Sequence, residues 1–306
     1  MPARYTLGID LGGTNTALAI VDARNVIVWG VSFPTNGAAG FEDFVARATA
    51  AAETGRKEFP CAAAGVAAAA QVNPVSGRLV ASPNLGFQNV PLRPALAKTL
   101  GLPVLVENDV NAAAYGEYVA GPEDRQPLLA VLVGTGVGGG LIVGDDVFRG
   151  ADGFAVEIGH VPVVREGGDP CGCGRHGCLE AYAGGLGITR RAQIRRSSAG
   201  EPFQDAGGVV AAAASGDDGC RRVLADAAAF LGMALAAAVD LFNPATLVLG
   251  GGVVAGWPEL YDRALEHFNN AALEPLLTNL VTRRSYLGSR AGAVGAAALA
   301  RRLMKP

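Results

Sequence analysis

The chain has 306 residues, half of them hydrophobic and 17% charged, with a net charge of −3. That length holds one or two domains with a sizeable core, and the composition excludes a disordered chain. The mildly acidic balance speaks against a nucleic-acid partner. A membrane is not expected either, because Asp240 interrupts the alanine-rich stretch 227–242, which reads as a buried helix.

The N-terminal MPARYTLGIDLGG runs straight into a strand-like segment, without the charged region and apolar core of a signal peptide. Residues 5–23 predict strand, glycine turn and strand, and 26–35 a third strand. Residues 40–59 predict a helix with Phe41, Phe44, Val45 and Ala48 on one face. CAAAGVAAAAQV (61–72) reads as a buried strand and turn. PVLVENDVNAAAYGEYVAG passes from strand to helix at Asn108–Asp109, and a new strand pair occupies 127–147. Residues 195–208 predict an exposed loop, and 289–306 a closing helix whose basic end suits the helix dipole. Two segments echo each other: DLGGTNTALAIVD (10–22) and VGTGVGGGLIVGD (133–145) are each a glycine turn followed by an apolar strand ending in Asp. They predict a duplicated α/β unit, two lobes each offering a hairpin turn to a shared cleft.

The glycines number 43, about twice the usual share, and cluster between apolar runs. In Asp10-Leu11-Gly12-Gly13-Thr14-Asn15 they would let backbone N–H groups face a phosphate, with Thr14 and Asn15 adding donors and Asp10 placed to hold Mg2+ through water. Gly134-Thr135-Gly136-Val137-Gly138 is the second such turn. It leads from strand to strand, so it is not the dinucleotide fingerprint, and no Gly-Lys-Ser/Thr follows. Together the two turns suggest a nucleoside triphosphate. Gly251, in NPATLVLGGGV (243–253), is either a neighbour of the adenosine or a packing glycine. In Glu107-Asn108-Asp109 one residue is explained by helix capping. The group as a whole fits a carboxylate base acting on a hydroxyl.

Three of the five cysteines stand together in GHVPVVREGGDPCGCGRHGCLE (159–180). A Cys171–Cys173 disulfide would close a small strained ring, and Cys-x-Cys is not the usual redox spacing. With an odd cysteine count, unpaired thiols in a reducing cytoplasm are the expected state. Cys171, Cys173 and Cys178 with one imidazole suit structural Zn2+. His176 is tethered too tightly between Cys173 and Cys178, so His160 is the expected fourth ligand.

These segments, with GIDLGGTN, ASPNLGF, VENDVNAAAYGE, GTGVGGG, EIGH, CGCGRHGCLE and NPATLVLGGGV in that order over nearly the whole chain, resemble the ROK family of bacterial sugar kinases and repressors. The resemblance implies a two-lobed, actin-like α/β fold of the hexokinase type with duplicated β-sheet units and a cleft between lobes. It implies a small lobe of residues 1–115, completed by the helix 290–306, and a large lobe of 116–289 carrying the zinc loop. Asp109 would be the base. Asn84, Asn108, Glu157, His160 and Glu180 would bind the sugar hydroxyls. Asp10, Gly12, Gly13, Thr14, Asn15, Gly134, Thr135, Gly136, Gly138 and Gly251 would serve Mg-ATP. His160, Cys171, Cys173 and Cys178 would hold zinc. Glucose leads as substrate, with N-acetylmannosamine, N-acetylglucosamine, fructose and mannose as alternatives, and a homodimer or homotetramer is expected. Repressor relatives carry an extra N-terminal helix-turn-helix for which a turn at residue 10 leaves no room. The retained Asp10, glycine turns and Asp109 speak against an inactive sugar-binding protein. One departure stands out: where relatives have Gly-x-Gly-x-Pro-Gly beside the sugar, this chain has Gly65-Val66-Ala67-Ala68-Ala69-Ala70, which disfavours a turn at positive φ and leaves the choice of sugar open.

Overall fold

The computed structural model describes residues 5–82, 85–122, 126–196 and 200–304. Its contacts divide the chain into two units, one of residues 1–124, 140–155 and 289–306, the other of 125–139 and 156–288. In chain order the first stretch holds β1 (Tyr5–Leu11), β2 (Asn15–Asp22), β3 (Ile27–Pro34), α1 (Phe41–Arg56), β4 (Cys61–Ala68), β5 (Gln71–Val72), β6 (Leu79–Ser82), β7 (Phe87–Val90), α2 (Leu92–Leu100), β8 (Val104–Asn108) and α3 (Asp109–Ala120). There follow β9 (Leu128–Val133), β10 (Val137–Val143), β11 (Asp146–Val147), α4 (Glu180–Ala183), α5 (Gly185–Arg195), α6 (Ala206–Ala214) and α7 (Asp218–Phe242). The chain ends with β12 (Thr246–Gly250), α8 (Gly252–Gly256), α9 (Glu259–Ala271), α10 (Glu274–Leu277), β13 (Val281–Arg284) and α11 (Ala291–Ala300).

The two large sheets repeat one pattern. The first has the order β3-β2-β1-β4-β8 and the second β11-β10-β9-β12-β13. In each, a hairpin carrying a glycine turn is followed by two strands added in parallel: β4 and β8 beside β1, β12 and β13 beside β9. The echo between residues 10–22 and 133–145 is therefore a repeat of topology as well as of sequence. A third, small sheet, β5-β6-β7, follows β4 and was not foreseen from its short, mixed segments.

Helix α1 buries Phe44, Val45, Ala48 and Ala52 against the first sheet, and Phe41 packs at the rim of the same core. Helix α11 is buried on every side, from Ala291 to Ala300. It approaches the strands closely because they offer glycine. A Cβ on Gly8 of β1 would overlap the Ala293 carbonyl oxygen, and one on Gly65 of β4 would overlap that of Ala296. Among the described residues only α7 is long and apolar enough to cross a membrane, and 61% of its most apolar stretch is buried inside the protein. That burial is what a core helix requires.

Candidate functional site

In the first unit, chemistry-bearing residues emerge where parallel strands end. The register aligns Asp10 with Ala67, and Ala67 with Glu107; Leu11 with Ala68, and Ala68 with Asn108. Asp10 and the Glu107-Asn108-Asp109 group thus share one sheet edge, at the carboxyl ends of β1 and β8. Open α/β sheets bind ligands at such ends. Burial, and then repulsion from Asp109, pushes the Asp10 carboxyl up to about 7. An aspartate in that state is short of positive charge.

The turn after β1 is closed by Gly12 N–H donating to Asn15 O at 3.1 Å. Neither Gly12 nor Gly13 has positive φ, so this is not a nest of alternating-handed residues. Glycine is needed at residue 12 because a Cβ would stand 2.8 Å from Asn15 O. Buried Thr35, just after β3, secures the turn: its N–H donates to Thr14 O at 2.8 Å and its hydroxyl to Gly12 O at 2.7 Å. Thr14 and Asn15 are exposed. Thr35 carried no signal in the sequence.

At the start of α3 the three residues of Glu-Asn-Asp have different tasks. Asn108 is the N-cap, and its Oδ1 accepts from Val110 N at 3.0 Å and Asn111 N at 3.1 Å. Its Nδ2 donates to Asp109 Oδ1 at 2.9 Å and more weakly to Ala70 O at 3.5 Å. Buried Glu107 accepts from Asn108 N at 3.0 Å, from Asn111 Nδ2 at 3.2 Å and from Arg149 Nε at 2.7 Å. Glu107 is thereby committed to holding the strand–helix junction. Asp109, half-buried at the first helical position, is the carboxylate set forward. Arg149, which completes the junction, was not singled out from the sequence, because its partner lies 42 residues away. Ala67 to Ala70 contain no positive φ.

In the second unit, Gly134 N–H donates to Gly136 O at 2.9 Å and closes the turn between β9 and β10. Here too no residue from Gly134 to Gly138 has positive φ. Thr135 is exposed; Gly136 and Gly138 are partly so. The turn is clasped by the segment that opens α5: Gly185 N–H donates to Gly134 O at 2.9 Å and Leu186 N–H to Thr135 O at 3.1 Å. Glu180 adds a third tie, its Oε2 accepting from Val137 N at 3.1 Å. Gly251 has a local reason to be glycine, since its φ is 96° and a Cβ would overlap Val133 O.

His160, Cys171, Cys173 and Cys178 bring one ligand atom each to within 4.8 Å of the others. The Cys173–Cys178 sulfur separation is 3.8 Å, and His160 Nδ1 lies 3.6 Å from Cys171 Sγ. Those spacings fit the edges of a tetrahedron with metal–sulfur bonds of about 2.3 Å. The donor set can therefore hold a metal ion, and all five cysteines are free thiols. Burial pushes Cys171 up to about 12, while the Arg175 backbone N–H draws Cys173 down to about 6. His176 is exposed and outside the cluster. Arg191, 2% exposed, anchors the loop: it pairs with Asp169 at 3.1 Å and Asp226 at 2.6 Å and lies 4.7 Å above the Tyr182 ring, whose hydroxyl accepts from Asp169 N.

Glu157 sits one residue before the short helical turn Ile158–His160. Burial raises its pKa; His160 lowers it and Glu180 raises it further. Glu157, His160 and Glu180 are thus electrostatic neighbours within this unit. Asn84 lies outside the described residues.

A family model described as "ROK family" matches residues 6–303. A glucokinase of Halalkalibacterium halodurans is 32% identical over 96% of this chain and 94% of its own length. An N-acetylmannosamine kinase of Citrobacter koseri is 33% identical over 96% and 98%. The crystal structure of a ROK family glucokinase from Streptomyces griseus in complex with glucose and AMPPNP superposes with a TM-score of 0.83 at 32% identity, covering 97% of this chain and 99% of that one.

Proposed function

The chain belongs to the ROK family, and we propose that it is an ATP-dependent sugar kinase that phosphorylates a hexose, with glucose as the leading acceptor. The observation that carries this reading is the placement of Asp109. It stands at a strand-to-helix junction, oriented by Asn108 Nδ2 at 2.9 Å, on the same sheet edge as Asp10.

Phosphoryl transfer asks mainly for positioning and charge neutralisation. As the sugar oxygen bonds to the γ-phosphorus and the bond to ADP breaks, Asp109 accepts the hydroxyl proton. Asp10 is the residue to hold Mg2+: a buried carboxyl raised to about 7 suits a cation that restores its charge. Bound there, Mg2+ would supply neutralising charge to the phosphates. The backbone of the two glycine turns, residues 12–15 and 134–138, would bind the phosphate oxygens, with Thr14, Asn15 and Thr135 exposed to reach them. Glu157, His160 and Glu180 would hydrogen-bond sugar hydroxyls. Asn108 has little left to give, since Oδ1 already takes two backbone donors; its contribution is the Nδ2 hydrogen now spent on the 3.5 Å contact with Ala70 O. Zn2+ suits the Cys3His cluster and would fix the loop that carries His160 and leads into Glu180.

The test is a coupled assay of ADP release across hexoses and N-acetylhexosamines, the latter because the N-acetylmannosamine kinase relative is as similar as the glucokinase. Glucose is expected to give the highest kcat/KM. Asp109→Asn should lower turnover by about a thousandfold or more while sugar still binds. Near-normal turnover in that variant would remove Asp109 as the base.

A further inference from the structure

Glu180 touches both the cysteine cluster and the second glycine turn. It follows Cys178 by two residues and opens α4. One carboxylate oxygen, Oε1, lies 3.7 Å from Cys171 Sγ; the other, Oε2, accepts from Val137 N at 3.1 Å. Gly136 is shaped around the same group, since a Cβ there would overlap Oε2. With Gly185 N on Gly134 O and Leu186 N on Thr135 O, every residue from Gly134 to Val137 is tied: three to the Glu180–Leu186 segment, and Gly136 to Gly134.

Resting on the kinase reading above, we propose that Glu180 is a positioning residue for the nucleotide-binding turn, holding Gly134–Val137 in its phosphate-binding shape whether or not sugar is present. A group that served the sugar alone would leave nucleotide affinity untouched when sugar is absent. The bond to Val137 N predicts the opposite. A charged acceptor on a backbone donor contributes enough that losing it relaxes the turn and weakens a ligand bound there by about tenfold.

The experiment is calorimetric titration of Mg-AMPPNP into wild-type protein, Glu180→Ala and Glu180→Gln without sugar, with amide exchange followed at Val137. Glu180→Ala should weaken binding by about tenfold and speed exchange at Val137, while the mid-strand amides Leu129–Val131 stay protected and show that the unit is folded. Glu180→Gln keeps an acceptor oxygen and should restore binding to within about threefold. Gly136→Ala, which forces Glu180 off the turn, should mimic Glu180→Ala and add little to it in the double variant. It also decides the matter if Glu180→Ala does not fold. Wild-type affinity with a protected Val137 amide in Glu180→Ala, or wild-type affinity in Gly136→Ala, overturns the proposal and leaves the kinase reading standing. A wild-type protein that binds no nucleotide overturns the kinase reading, and this proposal with it.

Discussion

Asp10 is held in a state that a free aspartate does not choose. Burial first and Asp109 second raise its carboxyl from 3.8 to about 7. The folded protein therefore binds that proton more tightly than the unfolded chain does. The sign follows: stability tied to this group is fully present below about pH 4 and is lost as pH rises towards 7, where the buried carboxylate must ionise. By pH 8 the cost reaches about 4 kcal/mol as an upper bound. Asp10→Asn should accordingly melt at a higher temperature than wild type at pH 8 in the absence of Mg2+ and nucleotide. The gain should shrink as pH falls to 4, and the variant should be inactive. A variant no more stable than wild type at pH 8 would mean that Asp10 already has a cationic partner. The same residue shows what local sequence can convey. Asp-x-Gly-Gly at a strand end marks Asp10 and the turn, and Glu-Asn-Asp before a helical run marks Asp109. Thr35, Arg149 and Arg191 do their work through partners far along the chain, and no periodicity or spacing points to them. The glycines of both turns were legible as glycines but not for the right reason. Backbone N–H groups turned towards a phosphate were the expected cause, and close approach of Asn15 O and of the Glu180 carboxylate is the one observed.

At the scale of elements, strand pairing and helix burial follow from patterns that residues advertise locally. The strand-to-helix change at Asn108–Asp109, the buried face of α1 and the repeated hairpins were all readable from apolar periodicity and turn glycines. The small sheet β5-β6-β7 was not, because strands of two to four residues carry too few alternations to stand out. Nor was the intimacy of α11 with β1 and β4, which depends on single glycines facing single carbonyls across the core. That contact yields a sharp expectation. Gly65→Ala places a methyl group on the Ala296 carbonyl, with backbone on both sides and no flexible side chain to yield. It should destabilise the first unit by about 2–4 kcal/mol, read as a lowered denaturant midpoint at unchanged slope. A control, Gly40→Ala, meets no atom within 4 Å; its φ of 94° with ψ of 169°, a conformation essentially confined to glycine, should alone cost about 1–3 kcal/mol. Residue 65 has no positive φ, so a loss at Gly65 no larger than that at Gly40 would show that α11 yields around the added methyl group.

Across the molecule, the two units repeat one strand order and each buries apolar residues, while the second also carries a long loop poor in regular structure. The first has a continuous apolar core under α1 and α2 and the buried helix α11. The second carries the loop 159–180, poor in regular structure and held by the Cys3His set, by isolated bridges at Pro162–Cys178 and Pro170–His176, and by Arg191 beneath it. Such a loop buries too little apolar surface to order itself by packing alone, so a metal should contribute to its folding directly. Purified protein is expected to carry about one zinc per chain. Stripping it with a strong chelator should unequally affect the units: amides near the loop and around Gly134–Val137 should lose protection, while those of β1, β4 and α11 change little. Arg191→Leu should weaken zinc retention in chelator competition, because it frees Asp169 beside the loop and leaves that carboxylate without its buried partner. Folded, active protein without zinc would remove the ligand assignment. Uniform loss of protection on chelation would mean that the metal supports the whole molecule and not the second unit alone.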